Sequence, residues 1–201
     1  MIEPKKKQLR GEKTREKILN ISLKLFSEKG YDKVTVDEIV KKSGTSKGSF
    51  YQHFSAKSDI FLARFTEVDD YYREVFHSFP ADMDATEKLF VFIRKLMRFL
   101  EEEMGKDLMK VIYSSALDSK EHTYFTNSNR SLLQIIRSLI EEAKKQNSIG
   151  TEQSINEIST LLTQSLMGII YHWGLNNTER SLESLSIPLI ETIINGLKMK
   201  H

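Results

Sequence analysis

The 201-residue sequence contains no cysteine, only three prolines and nine glycines. The absence of cysteine excludes a disulfide framework, a thiolate metal site and a cysteine nucleophile. The scarcity of proline and glycine argues against a β-sandwich or β-barrel with many tight turns and leaves room for long helices. No apolar run approaches the ~18 residues of a membrane span, and no secretory signal follows the N-terminal lysines. We therefore expect a cytoplasmic protein without a membrane segment.

Charge is distributed unevenly along the chain, although the net charge is only +2. Residues 1–60 contain 14 Lys or Arg and 8 Asp or Glu, a net charge of +6, and the remaining residues carry a net charge of −4. A basic head on an acidic body predicts that only the head meets a polyanion. A solvated basic tail without a partner is the alternative, and charge counting alone does not decide between them.

The N-terminal pattern changes character at Thr14. Residues 1–13 are highly charged and have no apolar period, which predicts a flexible basic arm. From Thr14 onward the apolar residues fall on one side of a helix, and Gly30 is expected to end that helix because glycine adopts the left-handed conformation at little cost.

The next segment predicts two short helices joined by a tight turn. Thr35–Glu38 forms a capping box that begins a helix of about two turns, which Ser43–Gly44 ends. Ser46 is expected to cap the following helix, in which Phe50 and Phe54 point into a core. This arrangement is typical of a helix-turn-helix. The outward positions of the second helix are Lys47, Ser49 and Gln52, with Gly48 offering bare backbone.

Helices are predicted throughout the rest of the chain. A fourth helix capped by Ser55 is expected to run to about Phe76 and to contain the domain boundary, and Phe79–Pro80 then breaks the pattern. Pro188 is tolerable if the last helix starts near Ser186. The predicted helices after this break cover residues 84–104, 105–117, 123–147, 152–175 and 184–198.

The run from Thr14 to Leu62 closely resembles the DNA-binding head of the tetracycline-repressor (TetR) family, over about a quarter of the chain. The matching residues are Ile18-Leu19, Leu25-Phe26, Gly30-Tyr31, Thr35-Val36, Ile39, Gly44, Ser46-Lys47-Gly48, Phe50-Tyr51, His53-Phe54, Lys57 and Leu62. The resemblance implies an all-α homodimer with a three-helix head (14–58) and a six-helix domain (59–201) for dimerisation and ligand binding. Ser22, Ser43 and Thr45 depart from the more apolar family pattern, but each is small and is expected to bond locally.

The resemblance also implies roles at the DNA. Contacts to the DNA backbone are expected from Thr35, Tyr51, His53 and Lys57, and contacts in the major groove from Lys47, Gly48, Ser49 and Gln52, with Thr45 and Ser46 at its edge. Lysine can donate to guanine and glutamine can pair with adenine. Alternatives remain for several of them: Thr35 and Ser46 as caps only, Gly48 as a packing glycine, and His53 as a half-buried histidine.

Two surfaces are predicted in the C-terminal part. Its last two helices carry more apolar residues than a lone surface helix needs, so they are expected to form a subunit interface, with burial inside the monomer as the alternative. The interface residues expected are Gly168, Tyr171, Ile187, Ile190 and Ile194. An apolar effector pocket is expected among the middle helices. Its candidate residues are Phe92, Met97, Met104, Met109, Tyr113, Phe125, His172 and Trp173.

The function predicted from these features is transcriptional regulation, as a repressor that a small hydrophobic effector releases from a palindromic operator. A DNA-binding protein of the same fold with a structural role or a protein partner, and no small ligand, is the alternative. The five histidines have no metal-binding spacing and no nucleophile motif is present, so neither an enzyme nor a metal site nor a cofactor is expected.

Overall fold

Helices form every regular element in residues 3–118, 130–175 and 179–198, which are the residues described in this computed structural model. This confirms the all-α fold with a helix-turn-helix head. The helices are α1 (Glu3–Lys29), α2 (Val36–Ser43), α3 (Lys47–His53), α4 (Asp59–His77), α5 (Ala85–Phe99), a π-helical turn (Leu100–Met104), α6 (Gly105–Asp118), α7 (Ser131–Lys145), α8 (Ile155–Leu175) and α9 (Leu182–Leu197).

The first helix begins much earlier than the sequence pattern predicts. Residues 3–13 continue α1 toward the N-terminus, so the predicted start of this helix at Thr14 is corrected to Glu3. Pro4 lies in the first turn, where a missing N–H costs nothing, and most residues after it have good helix propensity. A helix that is already nucleated by its buried part can extend without an apolar face of its own.

The chain divides into two compact units, and the division falls inside α4 after Glu67. The N-terminal unit contains α1, α2, α3 and the start of α4, together with the part of α6 from Val111. Aromatic rings fill its centre, with Phe26, Tyr31 and Phe61 in mutual contact at centroid distances of 5.0–5.2 Å.

Ser22, Ser43 and Thr45, which are polar where the family pattern is more apolar, form hydrogen bonds to nearby residues, as expected. The hydroxyl of buried Ser22 donates to the Ile18 carbonyl at 2.7 Å. Ser43 bonds the Val40 carbonyl at 3.3 Å and the Thr45 hydroxyl at 2.8 Å. Each hydroxyl therefore has a partner within its own helix or the adjoining turn, and its burial costs little.

In the C-terminal unit, α5 packs on α7 and α9, and α8 packs on the same two helices. The Lys88 ammonium, although buried, lies 2.7 Å from the Glu142 carboxylate and so ties α5 to α7. Glu183 at the start of α9 binds Arg94 at 2.6 Å and Arg98 at 2.8 Å, which ties α9 to α5. These pairs fix the relative positions of the packed helices.

Two predicted boundaries in this unit are corrected. The last helix begins at Leu182 and not near Ser186, so Pro188 lies inside it, and Arg180 donates to the Ser184 carbonyl that proline leaves free, at 3.3 Å. The helix expected over 123–147 is observed from Ser131 to Lys145, and its predicted start lies outside the described residues.

Candidate nucleic-acid interface

Helix α2 is bounded by the two signals predicted from the sequence. Thr35 has an extended backbone, and its hydroxyl accepts the N–H of Glu38 at 3.2 Å. Gly44 ends the helix with φ of +62°, a conformation that a residue with a Cβ rarely adopts. The reciprocal half of the capping box is replaced, because the Glu38 carboxylate binds the Lys29 ammonium of α1.

Helix α3 follows after a turn of three residues and is anchored by one face. The hydroxyl of Ser46 accepts the N–H of Ser49 at 3.1 Å, which caps the helix as predicted. Phe50 and Phe54 are buried, at 0% and 3% exposure, with ring centroids 5.8 Å apart. Because these two residues hold α3 against the head, Lys47, Tyr51 and Gln52 are turned away from the core.

The predicted DNA-contact residues of α3 and its cap are brought together on the surface of the head. Tyr51 is 54% exposed although it is a large aromatic residue, and its ring packs edge-on against Phe50. A Cβ at Gly48 would lie 3.8 Å from the Ser46 hydroxyl, an ordinary contact, so packing does not require glycine there. The exposed members are Thr35, Ser46, Lys47, Gly48, Tyr51 and Gln52, and the half-buried ones are Thr45, Ser49 and His53.

His53 is half-buried because the extended α1 passes beside it. A Cβ at Gly11 would lie 3.9 Å from the Cε1 atom of His53, within van der Waals range. Arg15, one turn further along α1, has its guanidinium 5.4 Å from the centre of the Phe54 ring. The basic N-terminal part of α1 therefore adjoins the C-terminal end of α3.

Lys57 occupies an arrangement that sequence reasoning missed. Its ammonium donates to the carbonyls of Tyr31 at 2.7 Å and Val34 at 2.9 Å, and lies 4.0 Å from the centre of the Tyr31 ring. Burial lowers the pKa of this ammonium, an effect that nearby Asp32 partly offsets. Two of its three donors are thus committed to the loop that leads into α2, in place of the outward orientation expected for a DNA-backbone contact.

The segment before α4 is also held differently from the prediction. The carboxylate of Asp59 accepts the N–H of Ser55 at 2.8 Å and that of Ala56 at 3.1 Å. The expectation that Ser55 caps the helix is therefore wrong, since α4 begins at Asp59. The acidic residue in the first turn of α4 was the signal that could have indicated these bonds.

The predicted effector residues separate into an interior group and one exposed residue. Tyr113 is half-buried, and Phe125 lies outside the described residues. His172 is exposed on α8 and so stands apart from the buried members of the set. The buried members of the set are Phe92, Met97, Met104, Met109 and Trp173, with exposures of 0–5%.

Trp173 carries an unusual buried donor. The residue is 2% exposed, and its indole Nε1 has no hydrogen-bond partner among the described residues. The Lys106 ammonium lies 5.3 Å from the centre of the indole ring. An unpaired buried N–H leaves a place for a hydrogen-bond acceptor.

The predicted subunit-interface residues lie on two different faces. Gly168 is exposed and Tyr171 is 48% exposed, on the same face of α8 as Leu161 and Leu175. Ile187 is half-buried. Ile190 and Ile194 are buried inside the protomer, which is the alternative to an interface role for them. The outer face is instead marked by a depression of about 360 Å³, lined by Ser165, Gly168, Ile169, His172, Leu185 and Leu189.

The described part of the chain contains neither a metal-binding cluster nor a membrane-spanning helix. No group of three or more His, Asp or Glu residues there could hold a metal ion. None of the helices in those residues has the length and apolarity needed to cross a membrane.

The N-terminal head is similar in sequence to known bacterial regulators. Residues 18–63 match the profile of bacterial regulatory proteins of the tetR family. The uncharacterized HTH-type transcriptional regulator YvdT of Bacillus subtilis is 36% identical over 103 residues, which is 49% of this chain and 50% of that protein. The regulator YdgC of the same organism is 23% identical over 199 residues, 95% of this chain and 96% of that protein.

The fold likewise agrees with solved structures. Thermus thermophilus FadR, described as a TetR-family transcriptional repressor in complex with lauroyl-CoA, superposes with a TM-score of 0.67 at 18% identity. That likeness covers 93% of this chain and 96% of the other. The head therefore matches the tetR family of bacterial regulatory proteins in sequence, and nearly the whole chain matches this solved structure in fold.

Proposed function

We propose that this chain is a DNA-binding transcriptional regulator in which α3 enters the major groove of an operator. The observation that carries the proposal is the division of α3 into two faces. Phe50 and Phe54 hold it to the core, while Lys47, Gly48 and Gln52 are exposed together. A short helix anchored this way presents polar side chains to base edges.

The proposed DNA contacts form two groups: those that position the head on the DNA backbone and those that read base edges. Thr35, Tyr51 and His53 contact phosphates, while Lys47 and Gln52 read base edges and Ser49 supports them from its half-buried place. Thr45 and Ser46 lie at the edge of the contact, and Ser46 also caps α3. Lys57 contributes to DNA binding indirectly, by holding the loop before α2 through its two hydrogen bonds to that loop. At Gly48 the absence of a side chain serves close approach of DNA, since packing inside the head does not require it.

The regulator acts as a homodimer on a palindromic operator. Two copies of α3 then enter successive major grooves about 34–36 Å apart. The exposed face of α8 with Gly168 and Tyr171, and the half-buried side of α9 with Ile187, supply the subunit contact. An exposed row of apolar side chains beside a glycine suits close helix packing between copies.

The effector is a small hydrophobic molecule, and its binding releases the repressor from DNA. The buried Phe92, Met97 and Met109 supply apolar surroundings in the C-terminal domain, and Trp173 supplies a donor for one polar group. The lauroyl-CoA bound by Thermus thermophilus FadR makes a fatty-acyl compound the first class to test. Release follows when the effector favours a conformation in which the two heads no longer match successive grooves.

A purely structural role is not favoured, because the relatives are transcriptional regulators. We place the protein in the cytoplasm, with the DNA-binding domain over 14–58 and the effector and dimerisation domain over 59–201. No catalytic step is assigned to it.

Footprinting of the full chain on the DNA upstream of its own gene tests the proposal. Protection of a palindrome, and its loss on addition of lauroyl-CoA or lauric acid, is the expected result. Trp173 is the only tryptophan, so its fluorescence reports effector binding directly. Binding that random competitor DNA removes equally well would refute the operator role. If neither acyl probe changes the footprint, the fluorescence or the thermal midpoint, the acyl assignment is wrong.

A further inference from the structure

An ion pair links the two helices of the helix-turn-helix on their exposed side. The Lys47 ammonium lies 2.8 Å from Oδ1 of Asp37, and their side chains are 58% and 70% exposed. Lys47 is the first residue of α3, and Asp37 is the second residue of α2. The pair therefore joins the start of the proposed recognition helix to the start of the helix before it.

Lys47 is the only lysine or arginine within α3, so this pair involves the one permanent positive charge of that helix. Asp37 also follows Thr35, the proposed phosphate contact, by two residues. A carboxylate at this place lies beside both the proposed base reader and the proposed backbone contact.

The chemistry of the two partners suggests what the carboxylate does. A lysine ammonium is a compact charge on a flexible stem, and without a partner it binds any phosphate it can reach. When the Asp37 carboxylate holds it, one donor is occupied and a phosphate at the same place is repelled. The two remaining donors can still reach guanine O6 or N7, which carry no net charge.

We propose that Asp37 is a specificity-determining residue of the head, which holds Lys47 for base reading and prevents it from binding phosphates indiscriminately. Discrimination of this kind arises from penalising the wrong partner more than the right one. This inference rests on the proposed DNA-binding function, which the following experiment tests separately.

The test compares wild type with Asp37→Asn on the footprinted duplex and on a random duplex, over a range of salt concentrations. We expect the variant to bind random DNA roughly fivefold more tightly, the scale of one exposed ion pair. Because Lys47 is then free to displace one more counterion, the salt slope on random DNA should steepen by about 0.9. The ratio of operator to random affinity should fall accordingly.

Three further variants separate the proposed role from simpler ones. Asp37→Glu keeps a carboxylate within reach of Lys47 and should restore the selectivity. Glu16→Gln removes an exposed acid from α1 and should leave the ratio unchanged, which controls for net charge. In a Lys47→Gln background, Asp37→Asn should no longer change the ratio, since the effect acts through Lys47.

Equal affinities, slopes and ratios for wild type and Asp37→Asn would overturn the inference while leaving DNA binding intact. So would an unchanged effect of Asp37→Asn in the Lys47→Gln background, which would indicate general repulsion of DNA by the carboxylate. If wild type itself does not distinguish the footprinted duplex from random DNA, the proposed function fails instead, and that outcome is recognised before any variant is measured.

Discussion

Replacing Lys57 with methionine tests whether this lysine stabilises the head or touches DNA. Methionine keeps an unbranched apolar stem and removes the two hydrogen bonds to the Tyr31 and Val34 carbonyls, at 2.7 and 2.9 Å. Hydrogen bonds from a charged donor contribute about 1.5–3 kcal/mol each, and the contact with the Tyr31 ring adds about 0.5–1 kcal/mol. Since the ammonium is only half-buried and water can reach the carbonyls, we expect a net loss of about 2–3 kcal/mol.

The assay is urea unfolding followed by circular dichroism, with Lys33→Met as the matched control. Lys33 is an exposed lysine in the loop that carries the Tyr31 and Val34 carbonyls, so its replacement removes the same charge without the carbonyl contacts. Hydrogen exchange at Val34 and Thr35 should accelerate in Lys57→Met only. The reasoning would be refuted if both variants were equally stable and Lys57→Met alone reduced the salt slope of DNA binding by about 0.9, since that is the signature of one lost phosphate contact.

Three further predictions concern other parts of the chain. Gln52→Ala should cost about 1–3 kcal/mol at one base pair of the operator, measured by competition with singly substituted duplexes, and an equal loss on random DNA would contradict base reading. Gly168→Arg should yield a monomer in sedimentation, since its position is open within the protomer, whereas Asn156→Arg on the same helix should stay dimeric. The pKa of Asp84 is lowered, first because the Ser148 hydroxyl donates to its carboxylate and second because Thr86 does. This stabilisation is present above the ordinary pKa of about 4 and is lost as pH falls through the lowered value, so Asp84→Asn should flatten the decline in unfolding free energy below about pH 4. An unchanged pH profile would show that the bonds to Asp84 contribute nothing.

The features that the sequence predicted correctly depend on residues close together in the chain. The cap at Thr35, the cap at Ser46 and the left-handed glycine at Gly44 each involve groups no more than four residues apart. The two phenylalanines of α3 are separated by one helical turn, so their common burial follows from helical period alone. These local features were sufficient to identify the head and the outward face of α3.

Hydrogen bonds and ion pairs between residues distant in the chain could not be predicted from such local patterns. Lys57 bonds carbonyls 23 and 26 residues earlier, and Glu38 binds Lys29 in place of completing its capping box. A flexible charged side chain reaches several acceptors with similar energy, so only the packed arrangement of α1, α2 and α4 decides among them. For the same reason the pairing of Lys47 with Asp37 could not be read from spacing.

The apolar pattern of α9 shows a different limit of pattern reading. Apolar residues cover much of this helix, because one face packs into the protomer while the opposite face is only partly covered. Ile190 and Ile194 belong to the inner face, and Leu185 and Leu189 line the outer depression. A hydrophobic pattern records that a side chain avoids water but not which neighbour covers it. Substitutions at Ile190 or Ile194 should therefore destabilise the protomer, and only changes on the outer side, beside Gly168, can separate subunit association from folding.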